Sequence, residues 1–298
     1  MMMSSKRYAR WLTTLLALLC CAFPHAQAEP AATVAPGSDE ISPRLVGYKK
    51  TARRTLYLHV FTPDAAKFAG PRPAIILFHG GGWVEGDALR FYDQARHLAG
   101  EGMVAVSADY RLGGADGTDP RAALSDAISA MRYLRGHAAA LGIDPVRIAA
   151  GGGSAGGQLA AALATSSGFE DPADDPRVSY RPSALVLFNP VIDNSPDGYG
   201  NDRVSGYWQA FSPLHNVQPG HPATLIMLGT HDALIPVATG EAYCEKVRAA
   251  GAECRLALYE GQPHAFFARS RSPRYYAETL AAMDAFLGKL GYLSAPTD

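Results

Sequence analysis

Between about residues 55 and 290 the chain alternates two patterns. Short, almost unbroken apolar runs are separated by longer stretches in which apolar positions recur every three or four residues. The runs at 56–61, 74–78, 104–108, 146–150, 184–188, 224–228 and 255–259 predict strands. The longer stretches predict helices over 120–141, 154–164, 238–250 and 274–290, the first with Leu124, Ile128, Met131 and Leu134 on one face. Apolar strands alternating with helices imply an α/β fold, a mostly parallel sheet with helices on both faces. No 20–50-residue period repeats, which excludes a solenoid. One segment breaks the rhythm: residues 193–221, rich in Gly, Tyr, Trp and Pro, form a long insertion before the strand at 224–228. Insertions of that size are typically lids or pocket walls.

The first 28 residues differ from the rest. Lys6, Arg7 and Arg10 precede an apolar stretch at 11–23, and Ala26-Gln27-Ala28 follows, the pattern of a cleavable secretory signal. The stretch is shorter than the roughly 20 residues a membrane span needs. Large residues before Cys20 argue against a lipoprotein signal. Cleavage after Ala28 leaves one α/β domain over 29–298, periplasmic or secreted, with no stable membrane anchor. It also removes three of the 27 basic residues and two of the four cysteines. The remaining Cys244 and Cys254 are a candidate disulfide in an oxidising compartment, with two buried thiols as the alternative. The 27 basic residues against 28 acidic, without a basic cluster in the mature chain, exclude nucleic acid as a partner. No metal-ligand spacing occurs among the nine histidines, so neither metal nor cofactor is expected.

Glycine placement carries the chemistry. Gly152-Gly153-Ser154-Ala155-Gly156 lies between a predicted strand and a predicted helix, the context of a nucleophile elbow. A phosphate-binding turn has a similar look. The second motif, Phe78-His79-Gly80-Gly81-Gly82-Trp83, ends an early strand, where backbone N–H groups can converge on a developing oxyanion. A serine nucleophile needs a base, and the base an orienting acid. His264 and Asp232 each follow a predicted strand, in the chain order Ser154, Asp232, His264. Asp193 is the rival acid, and His215, His221 and His231 are weaker candidates for the base. His79 is expected to hold the glycine loop in place.

With these motifs the chain resembles the α/β-hydrolase esterases of the hormone-sensitive-lipase and acetyl-esterase group, and within it the feruloyl-esterase-like branch. The resemblance runs from about Thr55 to Leu290 and includes Asp109-Tyr110-Arg111 and Gly142-Ile143-Asp144-Pro145. It implies the α/β-hydrolase fold, oxyanion donors at Gly81, Gly82 and Ala155, and structural roles for Asp109 and Arg111. Two departures stand out. Gly113-Gly114-Ala115-Asp116-Gly117 replaces the usual run after Asp-Tyr-Arg-Leu, and no long helical N-terminal cap precedes the first strand. Lack of that cap implies an open pocket. Trp83, Tyr207 and Trp208 are candidates for substrate contact. The aromatics of the insertion can equally form its own small core. The expected function is a secreted serine carboxylesterase acting on small-molecule or polysaccharide-linked acetyl, feruloyl or other short acyl esters. A peptidase of the prolyl-oligopeptidase type and a catalytically inactive binding protein are the alternatives.

Overall fold

A computed structural model describes residues 41–293. The expected leader at 1–28 lies outside the described residues. Eight strands form one sheet: β1 (Arg44–Lys50), β2 (Thr55–Phe61), β3 (Arg72–Phe78), β4 (Val104–Ala108), β5 (Ile143–Gly153), β6 (Ala184–Phe188), β7 (Ala223–Gly229) and β8 (Cys254–Tyr259). Their order is β1-β2-β4-β3-β5-β6-β7-β8. β1 pairs antiparallel with β2, and β2 with β4, while every pair from β4 to β8 is parallel.

The apolar runs of β3, β4, β6 and β7 are continuous because both faces of these strands are buried. Along β3, Ala74, Ile76 and Phe78 join the cluster that holds Leu124, Ile128 and Leu159, from the helices Pro120–Gly136 and Ala155–Thr165. Ile75 and Leu77 face the opposite cluster, with Leu98 of the helix Tyr92–Gly100 and Met283 of the helix Pro273–Lys289. Period-two alternation thus divides one apolar strand between two cores.

Four departures from the sequence expectation have physical causes. The helix beginning at Pro120 stops at Gly136, where His137 turns out of helical backbone and its ring stacks on Tyr133; a separate short turn covers Ala138–Leu141. β5 runs on through Gly151–Gly153, residues without side-chain pattern, because their backbones pair with Leu77 and Phe78 on one side and Leu187 and Phe188 on the other. β1 escapes the pattern because it is an edge strand exposed along most of its length. The helix Tyr92–Gly100 is only two to three turns long and buries few large residues.

The insertion is not slack. It contains the short helices Asn201–Val204 and Trp208–Phe211, and it buries Val204, Phe211 and Leu214 in the main core. Among the described residues no helix is long and apolar enough to cross a membrane. Cys244, on the helix Val237–Ala249, is bonded to Cys254 at the start of β8. The bridge closes a short loop, and loop entropy assigns it about 3 kcal/mol. Cys244→Ala/Cys254→Ala is therefore expected to lower the urea midpoint of unfolding, and dithiothreitol should do the same to the native protein. An unchanged midpoint in both would contradict that contribution.

Candidate active site

The parallel strands end on one edge of the sheet, and the loops leaving β3, β5, β6, β7 and β8 meet there. At the end of β5 the backbone turns sharply: Ser154 has φ 53° and ψ −119°, and Ala155 begins the next helix. This strained turn is held from several directions. Ser154 N–H donates to Phe188 O at 3.0 Å, and Ser154 O accepts from Gln158 N–H at 3.0 Å and Val191 N–H at 3.0 Å. Its geometry requires Gly156, where a Cβ would lie 2.0 Å from Phe78 O. The elbow and the end of β3 are consequently in backbone contact.

The loop after β3 folds over on itself. Val84 and Glu85 N–H groups donate to Gly81 O at 3.0 and 3.1 Å. Gly81 has φ 129°, and a Cβ there would lie 1.9 Å from Glu85 O. His79 is buried below the loop, as its motif implies: Nδ1–H donates to Gly80 O at 2.9 Å, and the ring stacks on Tyr110 at 4.3 Å. The Tyr110 hydroxyl donates to His79 O at 2.7 Å. Asp109 and Arg111 flank Tyr110, and the Asp109 carboxylate accepts from Tyr57 N–H at 3.2 Å. The Arg111 guanidinium grips the buried Asp126 carboxylate through two bonds of 2.7 Å.

His264, on the loop after β8, joins the other two candidate residues. Its Nδ1 lies 2.7 Å from Asp232 Oδ2 and its Nε2 lies 2.9 Å from Ser154 Oγ. A carboxylate only accepts, so Nδ1 carries the proton and Nε2 is free to accept from the serine hydroxyl. Asp232 Oδ1 accepts from Leu234 and Ile235 N–H groups at 2.9 and 3.0 Å. Burial raises the affinity of Asp232 for a proton, but the bonds from His264, Ile235 and Leu234 outweigh it and hold the carboxyl below its usual range. Asp193 is elsewhere: it caps Ser195 N–H at 2.8 Å and stands 3.9 Å from His215. His221 is buried against Tyr243, and His231 is exposed.

Sequence reasoning misses Asn189. It follows β6 with φ 35°, lines the cleft over Ser154, and accepts from Ala265 N–H through Oδ1 at 3.1 Å. That bond orients the amide so that Nδ2 lies 3.3 Å from His264 Nε2. No motif marks it. Its sole signal is its position at the carboxyl end of the strand beside the elbow strand.

A cleft of about 710 Å³ lies over Ser154 and His264, walled by Gly81, Gly82, Phe91, Tyr199 and Phe267. Ala155 is buried next to the serine, and its N–H belongs to a first helical turn, where no intrahelical acceptor exists. The three expected substrate contacts do not line this cleft. Trp83 is 1% exposed; its indole packs against Tyr199 and Phe211 and donates to Gln158 Oε1 at 3.3 Å. It bolts the glycine loop to the elbow helix. Tyr207 packs on Phe211 and Phe169 beneath the Arg121 guanidinium, and Trp208 packs on His215. The insertion's aromatics thus pack on the main core rather than forming a separate one, and Tyr199 is the one that reaches the cleft. Among the described residues no cluster of His, Cys, Asp and Glu is placed to hold a metal ion.

A family model described as the alpha/beta hydrolase fold matches residues 75–268. An AB hydrolase superfamily protein of Schizosaccharomyces pombe is 30% identical over 239 residues, covering 69% of this chain and 66% of that protein. Carboxylesterase NlhH of Mycobacterium tuberculosis is 36% identical over 125 residues, covering 42% of this chain and 37% of its own length. The chain thus spans two thirds or less of these curated relatives. Among solved structures, Thermogutta terrifontis esterase 2 superposes with a TM-score of 0.81 at 38% identity, over 86% of this chain and 98% of that one. Its structures include propionate-bound and butyrate-bound forms and one phosphorylated by paraoxon.

His79 gives the glycine loop a pH dependence. Burial pushes its pKa from the usual 6.5 down to about 4, against the opposing bond to Gly80 O. On acidification the unfolded chain takes up this proton first, so stability is intact above about pH 6.5 and declines as the pH falls toward about 4. The expected loss is at most roughly 3 kcal/mol. His79→Asn should flatten the fall of urea stability between pH 7 and 4. Curves that run parallel for the two proteins would contradict the assignment.

Proposed function

Because this chain belongs to the alpha/beta hydrolase fold family, whose model spans residues 75–268, we propose that it is a serine carboxylesterase. The observation that carries the reading is His264, bonded at once to Asp232 (2.7 Å) and Ser154 (2.9 Å) in the floor of an open cleft. Ser154 Oγ attacks the ester carbonyl carbon while His264 Nε2 takes the hydroxyl proton. The carbonyl oxygen becomes an oxyanion, received by the N–H groups of Gly81, Gly82 and Ala155. Each such donor is worth on the order of 3 kcal/mol. Asp232, held as a carboxylate by its own hydrogen bonds, stabilises the imidazolium.

Collapse of the intermediate breaks the bond to the alcohol, and His264 gives its proton to the departing oxygen. Water then attacks the acyl-enzyme, with Nε2 as base again, and releases the acid and free Ser154.

Short acyl groups are the proposed substrates, with acetyl and feruloyl esters on plant polysaccharide among them. The open cleft suits a small acyl group on a bulky alcohol. The propionate-bound and butyrate-bound forms of the Thermogutta esterase support the same size of acyl group. Export also belongs to the proposal. It rests on the signal pattern at 1–28 and is consistent with a bonded pair at Cys244 and Cys254.

Ser154→Ala is expected to lower kcat for 4-nitrophenyl acetate by on the order of 10⁴-fold or more while leaving the fold intact. Near-native turnover by a folded Ser154→Ala protein would overturn the reading. A chain-length series of 4-nitrophenyl esters should peak at acetyl to butyryl and fall by octanoyl. A peak at long chains would instead indicate an enclosed acyl tunnel, against the short-chain assignment.

A further inference from the structure

Three arginines line the cleft: Arg90, Arg203 and Arg271. They come from different parts of the chain. Arg90 belongs to the segment after the glycine loop, Arg203 to the insertion, and Arg271 to the loop that carries His264. Each is an exposed side chain that donates one N–H to a backbone carbonyl beside the reacting groups. Arg90 Nη1 donates to Gly80 O at 3.2 Å, Arg203 Nη1 to Gly82 O at 2.9 Å, and Arg271 Nη1 to His264 O at 3.4 Å. A guanidinium has five N–H donors, so this anchoring leaves most of each fork unused.

The acidic groups nearby do little to neutralise them. Glu85 lines the cleft with its Oε1 3.8 Å from Arg90 Nη2, and Asp202 Oδ2 lies 3.9 Å from Arg203 Nε. Those carboxylates are 76% and 80% exposed, so both contacts are long, solvated and weak. Among the described residues Arg271 has no carboxylate partner. The cationic rim is not an overflow of general basicity either, since the chain carries 27 basic and 28 acidic residues. In the cleft over Ser154 three guanidinium groups face one lining carboxylate, Glu85, and a cleft of that sign focuses its field on an incoming anion.

Resting on the esterase reading above, we propose that the preferred substrates carry a carboxylate close to the scissile ester, held by Arg203 and Arg271. Half-esters of dicarboxylic acids, and acyl esters of uronic or hydroxy acids, have this chemistry. The planar fork matches a carboxylate through two parallel bonds, which a neutral amide or methyl ester does not reproduce. A purely structural role, in which the arginines only steady the loop carbonyls, would lower turnover of neutral and anionic esters alike.

The experiment is a ratio of kcat/KM within matched pairs, which excludes product release. For the alcohol side, 4-acetoxybenzoate is compared with 4-acetoxybenzamide. For the acyl side, monophenyl adipate is compared with phenyl adipamate. At low salt one pair is expected to favour its anionic member about tenfold, a preference that shrinks toward unity in 1 M NaCl, where the screening length is about 3 Å. Arg203→Gln/Arg271→Gln should abolish the ratio, and Arg203→Lys/Arg271→Lys should keep part of it. Ratios near unity in both pairs for the native enzyme, or a native ratio that survives the double Gln substitution, would overturn the proposal. Turnover of 4-nitrophenyl acetate but of none of the four compounds overturns this proposal alone, whereas no turnover of any of the five overturns the esterase reading with it.

Discussion

The whole site depends on how closely two stretches of backbone pass. Gly156 brings the first turn of the elbow helix against the end of β3, so near that a Cβ would stand 2.0 Å from Phe78 O and 2.4 Å from His79 O. Phe78 pairs with Gly152 across β3 and β5, which fixes the register of that approach. The glycine loop can therefore lie beside Ser154 only while these two strands keep their alignment. Trp83 then locks the arrangement through Gln158, whose Nε2–H donates to Phe211 O at 3.0 Å. One buried amide thus ties the glycine loop, the elbow helix and the insertion together. Such a polar link, with both ends satisfied, orders three elements at little cost in stability.

Much of this is legible in the amino-acid sequence, for a physical reason. Strands buried on both faces must be apolar throughout, so β3, β4, β6 and β7 stand out as runs. The elbow and the loop after β3 need glycine at fixed spacings because no Cβ fits. Asp232 can be placed because it follows such a strand, β7, and His264 because it follows the predicted edge strand β8 in the expected chain order. The features that stay hidden lack these constraints. β1 is an exposed edge with no apolar pattern to read. Asn189 acts through an amide whose orientation is set by Ala265 N–H, a contact between residues 76 positions apart. Trp83 departs from its expected role because sequence shows adjacency to the glycine loop but not which way an indole turns. Here it turns inward.

The insertion changes meaning in the same way. Its tyrosines, tryptophan and phenylalanine suggest either a wall for substrate or a small core, and packing settles most of them in the core. What the insertion contributes to the cleft is Tyr199 and Arg203. The wall is therefore as much electrostatic as apolar. That combination fits an open cleft, where a substrate keeps part of its hydration and charge has to supply selectivity that enclosure does not.

The central claim is that Ser154 is an activated nucleophile because His264 and Asp232 are aligned on it. Exposure to a diethyl phosphoryl ester such as paraoxon, followed by intact mass and peptide mapping, tests this most directly, since only an activated serine attacks such a centre rapidly. The account predicts one diethylphosphoryl group per chain, located on Ser154, and labelling that slows by orders of magnitude in His264→Ala. No adduct, an adduct on another residue, or equal labelling of the His264→Ala protein would contradict it.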